Sequence, residues 1–336
     1  MQIGNINLKQ DVMIVAEIGN NHEGNFQLAK EMVKLAADTG VHAVKFQTFK
    51  TENFIYQLNT KRFKQLKSYE LSYTEFEKLS EMAQSCGLIF LSTPFDIESA
   101  IFLNDIVPAF KISSGDNSFY PLLEVVSKTG KPIIISGGCA DIPQLKKTQA
   151  FINKIWDENK INQEMIFLHC VSSYPVPSGQ ENLKAIHTIR DQLSCIVGYS
   201  DHTIGIDAAC IAVTLGAKII EKHFTIDKNY SDFRDHQISA DPNDMKKLVD
   251  KVNLTLKMLG SGEKILQISE LETLSAVKRS VVATKDLSEG SIISKDDIKW
   301  VRHSGGITSG KEDLIYGKKL LKSVNNGEIF SFNYLK

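Results

Sequence analysis

His202, in the phrase SDHT, and His223, in EKHFT, stand at the ends of two successive strand-like runs, 194–200 and 218–221. The stretch between them, 204–216, is apolar with helical spacing. The two imidazoles therefore belong to neighbouring strands of a parallel β/α unit, where they can converge on one ion. Structural metal sites supply about four protein ligands and catalytic ones about three. Two histidines leave positions for water and substrate, which suits a divalent ion such as Mn²⁺ or Mg²⁺ acting as a Lewis acid on a carbonyl oxygen.

Lysines inside strands are the second anomaly. Residues alternate faces along a strand, so in AVKFQT Lys45 and Gln47 share one face while Val44 and Phe46 take the other. Lys111, in AFKISSG, repeats the pattern. An unpaired buried ammonium costs several kcal/mol, as an order of magnitude. One such lysine fits a structural ion pair; two, accompanied by Thr93, Ser114, Ser136, Ser172 and Ser200 at other strand ends, fit a phosphate or carboxylate site. Glu17, in VAEIG, and Glu221, in IIEKHF, have the inward parity as well. A salt bridge to either lysine is the plain reading for both; orienting a ligand or relaying a proton is the functional one. His169, in FLHCV, reads as a hydrogen-bonded core residue, and His42, His187 and His303 carry no assignment.

The elements that must position these residues repeat. Apolar, β-rich runs at 13–19, 43–49, 88–94, 109–114, 132–138, 165–171, 195–200 and 218–225 alternate with helical patterns such as 26–38, 74–86, 144–156, 183–193 and 242–259. Eight such units specify an α/β fold, a (β/α)8 TIM barrel whose active site lies at the C-terminal rim. The alternative is an open doubly wound sheet, but Gly19-Asn20-Asn21-His22-Glu23-Gly24 lacks the GxGxxG form of a dinucleotide site. The barrel is expected over 1–260, a charged, serine-containing linker over 261–276, and a small β-rich domain over 277–336 that packs on the barrel or on another subunit.

A chain of 336 residues with 42% hydrophobic content and a formal charge of −1 buries a large core and does not seek polyanions, so neither nucleic acid nor a membrane surface is expected as partner. The start MQIGNINLKQD lacks a basic-then-apolar leader, and no apolar run approaches the roughly 18 residues of a membrane span. The expected location is the cytoplasm. Five cysteines without a CxxC spacing read as buried reduced thiols.

The phrases AEIGNNHEG, AVKFQTFK, FLSTPFD, FKISSGD, KPIIISGG, LHCVSSYPVP, GYSDHTIG, IIEKHFT and DHQISADP, in this order, resemble the sialic acid synthases, a family that includes legionaminic and pseudaminic acid synthases. RSVVATKDLSEGSIISKDDIKWVR and GKKLLKSVNNGEIF resemble that family's antifreeze-like (SAF) domain. The resemblance implies condensation of phosphoenolpyruvate with a mannosamine-type aldose: C3 attacks the aldehyde, an oxocarbenium forms at C2, water adds, and phosphate leaves by C–O cleavage. It implies that His202 and His223 bind manganese, which polarises the aldehyde, and that Lys45, Thr93, Lys111, Ser114, Ser172 and Ser200 contact phosphoenolpyruvate. It places Glu17, Tyr174, Glu221 and Asp235 near the reacting groups, and Gln47, Asp116, Arg302 and His303 on the sugar side. It also implies a domain-swapped homodimer.

Two departures bear on the acceptor. Ser114-Gly115-Asp116 stands where many members have SGE, which shortens a carboxylate. Val301-Arg302-His303-Ser304-Gly305 stands where the family has a KRPG-like phrase whose arginine contacts the sugar's N-acetyl group, which puts His303 at the arginine's place and Arg302 one residue early, so either Arg302 takes over after a local shift or the acyl contact differs. A one-residue slip on a strand reverses the face. The expected acceptor is therefore a modified relative of N-acetylmannosamine, such as a dideoxy-diacetamido hexose. A metal-dependent barrel hydrolase, or a non-catalytic sugar-binding protein of the same fold, are the competing readings.

Overall fold

The computed structural model describes residues 1–336, which divide into two compact units, Met1–Gly260 and Ser261–Lys336. In the first, eight parallel strands, β1 (Met13–Gly19), β2 (Ala43–Thr48), β3 (Ile89–Pro94), β4 (Phe110–Ile112), β5 (Ile133–Ser136), β6 (Met165–Cys170), β7 (Ile196–Asp201) and β8 (Ile219–His223), form one sheet. The ladder runs 3-2-1-8-7-6-5-4. First strand pairs with last, which an open doubly wound sheet does not do, and β3 lies beside β4. The expected (β/α)8 architecture is the one observed.

Each strand is followed by at least one helix, from Phe26–Asp38 after β1 to Pro242–Leu259 after β8, the shortest of the main ones being Ile97–Leu103 after β3. Strand alternation divides the core in two. Ile14, Val44, Phe46, Phe90, Phe110, Phe167 and Ile220 point outward into the helix layer. Met13, Val15, Ala43, Ile89, Leu91, Ala109, Ile134, Ile166, Leu168 and Ile219 fill the barrel, whose interior is packed like any core. Ile3 and Leu8, from the N-terminal hairpin Gln2–Ile3 and Ile6–Asn7 and the turn after it, join that inner cluster.

Element ends are shorter than the apolar runs where local hydrogen bonds compete. The expected strand over 109–114 stops at Ile112 because Asp116 N bonds Ser113 O and Ser113 Oγ donates to Asp116 Oδ2 at 2.6 Å, closing a turn. The expected helix over 144–156 is longer, Ile142–Asn159, since Asp141 accepts from Gln144 N and Pro143 suits the first turn. The cysteine expectation is corrected: all five thiols are free, but only Cys170 is buried, Cys86, Cys195 and Cys210 are half-buried, and Cys139 is exposed. Cys139 lies in the turn after β5 with a left-handed φ of 55°, so its apolar neighbours did not carry it into the core.

The second unit pairs Arg279–Ala283 antiparallel with Ile298–Arg302 and has a core of its own, including Val281, Leu287, Ile293, Ile298, Ile307, Leu320 and Phe330. Within it, Leu271–Val277 is a short helix with no buried residue. No helix of the chain is long and apolar enough to cross a membrane.

Candidate active site

The upper end of the barrel interior is polar. Above Val15, Ala43, Leu91 and Ile219, the same inward parity brings Glu17, Lys45, Thr93 and Glu221, and register sets Glu17 opposite both Lys45 and His223. Lys45 and Lys111 are each only 3% exposed. Lys45 Nζ lies 2.7 Å from Glu17 Oε2, 3.6 Å from Glu221 Oε2 and 3.2 Å from Thr93 Oγ1. Lys111 Nζ lies 2.8 Å from Ser136 Oγ and 3.5 Å from Glu221 Oε1. Glu221 thus bridges the two lysines and also accepts from Ser200 Oγ at 2.9 Å. Gln47 Nε2 donates to Glu17 Oε1 at 3.2 Å.

The two carboxylates are driven apart. Burial raises Glu17 and outweighs Lys45, whereas at Glu221 burial is overcome by Lys111, Lys45 and the Ser200 hydroxyl, which hold it well below the usual range. Burial also pulls Lys111 down against Glu221, while Lys45 is raised because Glu17 and Glu221 outweigh its burial. Two cations balanced by two anions make this interior tolerable. The ion pairs foreseen as the plain reading are present, and the lysine ammoniums face an open cavity as well.

That cavity, about 350 Å³, is lined by Glu17, Lys45, Gln47, Thr93, Lys111, Ser114, Asp116, Ser172, Tyr174, Ser200, His202, Glu221, His223 and Asp235, so every barrel residue singled out from the sequence meets there. Arg302 and His303 lie in the second unit, Arg302 ending its strand and His303 following, both exposed. The Ser172 hydroxyl is buried without a partner. A Cβ at Gly138 would stand 2.3 Å from Ser172 Oγ and 2.5 Å from Ser114 Oγ, so only glycine leaves this hydroxyl recess intact.

One residue pair further along the two neighbouring strands that carry Ser200 and Glu221, the His202 and His223 rings are 5.4 Å apart, centroid to centroid, and the Tyr174 ring lies 4.1 Å from that of His202. His202 Nδ1 is 2.9 Å from Val171 O. A carbonyl only accepts, so Nδ1 carries the proton and a neutral ring keeps its lone pair on Nε2. His223 Nδ1 is buried with no hydrogen-bond partner, and burial keeps that ring well below its ordinary pKa and so neutral. Burial lowers His202 too, but the Cys170 thiol, Val171 O and Glu221 outweigh it and raise that ring. A neutral His223 with an orphaned nitrogen, beside a His202 whose Nε2 is left free of Val171, fits a divalent ion. Nowhere does the chain gather three or more histidine, cysteine or acidic side chains for a metal, this site included, so water and substrate would complete the coordination of an ion held here.

Several lining residues were not anticipated. Cys170, Sγ 3.6 Å from Ser114 Oγ and 3.7 Å from His202 Nδ1, has the inward parity of β6 but reads as core in sequence. Arg234 packs over Tyr174 at 4.8 Å and bonds Asp235 Oδ1 at 3.2 Å. With Arg62 and Phe233 it also lines an adjoining vestibule of about 770 Å³ that includes Glu23, Tyr69 and Asp232. Arg62 sits on the helix Thr60–Tyr69, and nothing local marks it as a site residue. Burial raises Asp235 and Asp116, and it raises the Tyr174 phenol so that it stays protonated.

Comparison with known proteins follows the same lines. The NeuB family model matches residues 32–264 and the SAF domain model residues 278–336. The uncharacterized protein MJ1065 of Methanocaldococcus jannaschii is 42% identical over 97% of this chain and 95% of its own. The N,N'-diacetyllegionaminic acid synthase of Campylobacter jejuni is 37% identical over 94% of this chain and 98% of its own. The crystal structure of an N-acetylneuraminic acid (sialic acid) synthetase from Leptospira borgpetersenii, in complex with citrate, superposes with a TM-score of 0.74 at 36% identity, covering 82% of this chain and 93% of that one.

Proposed function

Because the chain belongs to the NeuB family and is an enzyme of the sialic and nonulosonic acid synthase class, we propose that it condenses phosphoenolpyruvate with a mannosamine-type aldose and releases inorganic phosphate. The observation that carries this is the pair of buried lysines bridged by Glu221 beneath an open polar cavity. A hydrolase would leave both lysines without a task.

In this reading Lys45, Lys111, Thr93, Ser114, Ser172 and Ser200 hold the phosphate and carboxylate of phosphoenolpyruvate. The cations and hydroxyls are preorganised by the ion pairs, so little reorganisation accompanies reaction. A bond forms between C3 of phosphoenolpyruvate and the aldehyde carbon. Water then adds at C2, its oxygen stays there, and the C2–O bond to phosphate breaks. Glu17, steadied by Gln47 and Lys45, takes the proton of that water, while Glu221 remains an anion that keeps both lysines in place. His202 and His223 would hold the divalent ion, Mn²⁺ in preference to Mg²⁺, and when bound it supplies Lewis-acid polarisation of the acceptor carbonyl. Tyr174, Asp235, Gln47 and Asp116 face the acceptor. Arg302 and His303 are assigned to its acyl group, and the same reading includes a homodimer, which sedimentation at micromolar concentration checks.

The acceptor we assign is a diacylamino-deoxy hexose rather than N-acetylmannosamine. Asp116 is a shorter carboxylate than glutamate and is tied to Ser113, and the named relative from Campylobacter makes a diacetylated acid. The test is phosphate release from phosphoenolpyruvate by metal-stripped protein, with and without Mn²⁺, over a panel of mannosamine and dideoxyhexosamine acceptors with product masses recorded. Metal-dependent release with one diacylamino acceptor is expected. Equal turnover of all acceptors overturns the assignment of the sugar, and no release with any overturns the synthase reading.

A further inference from the structure

The residues immediately before the two histidines are ion-paired with each other on the other side of the sheet. Asp201 precedes His202 and Lys222 precedes His223. Alternation along β7 and β8 turns this pair out toward the helix layer while the histidines face the cavity. Asp201 and Lys222 are register partners, and Lys222 Nζ lies 3.0 Å from Asp201 Oδ2, with side chains 1% and 0% exposed for the lysine and aspartate. The other carboxylate oxygen accepts from Thr203 N at 2.8 Å, from Thr203 Oγ1 at 2.7 Å and from Tyr199 OH at 3.3 Å. Lys222 Nζ also donates to Thr203 O.

No part of the proposed reaction uses these groups, and they are an expensive way to fill a core. Replacing a buried ion pair by apolar side chains of similar volume is often neutral or stabilising. What a charge pair adds is selectivity: a slip of β8 against β7 by one residue would turn Lys222 inward and separate it from Asp201. The network also reaches past the strand. Thr203 follows His202, and three of its polar groups are held by the pair, so the turn bearing His202 is fixed on one side by Val171 O and on the other by Asp201 and Lys222.

We propose that the Asp201–Lys222 pair, with Thr203, is a clamp on the outer face of the sheet that sets the position of His202 relative to His223 for binding a divalent ion. Asp201, Lys222 and Thr203 are positioning residues. They act through the register of β7 and β8 and through the turn after β7. The inference rests on the reading that the two histidines hold the ion.

The experiment is Mn²⁺ binding to the metal-stripped full chain, followed by the electron paramagnetic resonance signal of the free ion and paired with thermal unfolding. Asp201→Asn and Lys222→Met should each weaken binding about 10- to 100-fold, the range found when outer partners of metal ligands are removed, at temperatures where the variants are folded. Thr203→Val should lose affinity in the same direction and Thr203→Ser should retain it, a rescue that loss of packing alone would not produce. If a single charge variant does not fold, the paired change Asp201→Leu with Lys222→Met supplies an apolar replacement, and it too should bind weakly. Wild-type affinity, within about twofold, in folded variants overturns the clamp whatever happens to the melting temperature. Binding by the wild type that is abolished in His202→Ala, yet kept in Asp201→Asn and Lys222→Met, sinks the clamp alone. No Mn²⁺ binding by the wild type overturns the metal reading and the clamp together.

Discussion

Lys111→Met separates a lysine that serves catalysis from one that only balances charge. At 3.5 Å from Glu221 Oε1, its Coulomb attraction is roughly 5 kcal/mol at an effective dielectric constant of about 20. Deleting the ammonium also removes its desolvation penalty, several kcal/mol as an order of magnitude. Lys45, 3.6 Å away, still neutralises part of Glu221. The net loss of folding stability should therefore be modest, about 1–3 kcal/mol. The catalytic loss should be larger. Removing a preorganised donor to an anionic group costs about 3–4 kcal/mol, or roughly 10²–10³ in rate. The assay is kcat/KM for phosphoenolpyruvate by phosphate release, alongside denaturant midpoints. Adding Glu221→Gln to Lys111→Met should recover stability, because the uncompensated anion is gone, and recover no activity. A variant that loses stability on this scale yet keeps kcat/KM within about threefold of wild type would refute the anion-site argument and leave Lys111 a structural ion pair.

Three further outcomes follow from particular contacts. Gly138→Ala places a methyl 2.3 Å from Ser172 Oγ and 2.5 Å from Ser114 Oγ; since hydrogen bonds to charged groups are worth about 1.5–3 kcal/mol, the KM for phosphoenolpyruvate should rise about 10-fold with little change in melting, and an unchanged KM contradicts the recess. Arg234→Ala removes a guanidinium that packs over Tyr174 and lines both cavities; the acceptor KM should rise a few-fold, about the worth of an exposed cation–π contact, while that for phosphoenolpyruvate stays put, and the reverse pattern tells against its placement on the sugar side. In the second unit, hydrogen bonds from Lys285 and from Ser294 hold Asp297 down to about 2. Because the folded value is depressed, its contribution is present above the unfolded value of about 3.9 and is lost as pH falls through about 2. Asp297→Asn should lower the melting temperature of that unit at pH 7, with the difference from wild type narrowing as pH approaches 2; a pH-independent difference would mean that the carboxylate charge is not what stabilises it.

The sequence by itself determined the barrel and most of the residues at its mouth, because both are written in local period. Alternation along single strands is enough to place Lys45 and Gln47 on one face and Val44 and Phe46 on the other, and the helix Phe26–Asp38 runs to the limits its pattern sets. Histidines ending consecutive strands are likewise legible as a converging pair. What local period does not contain is distance between strands. That Glu221 bridges both lysines, that Cys170 lies under His202, and that Asp201 meets Lys222 behind the histidines depend on how far the sheet has curled and in which register it closed. Arg62 and Arg234 reach the cavity from two helices outside the strand pattern, Thr60–Tyr69 and the short Arg234–Ile238, so only the folded chain brings them there. The side chain's face is a one-dimensional property of the strand; its partner, and with it its charge state, is decided by closure of the barrel.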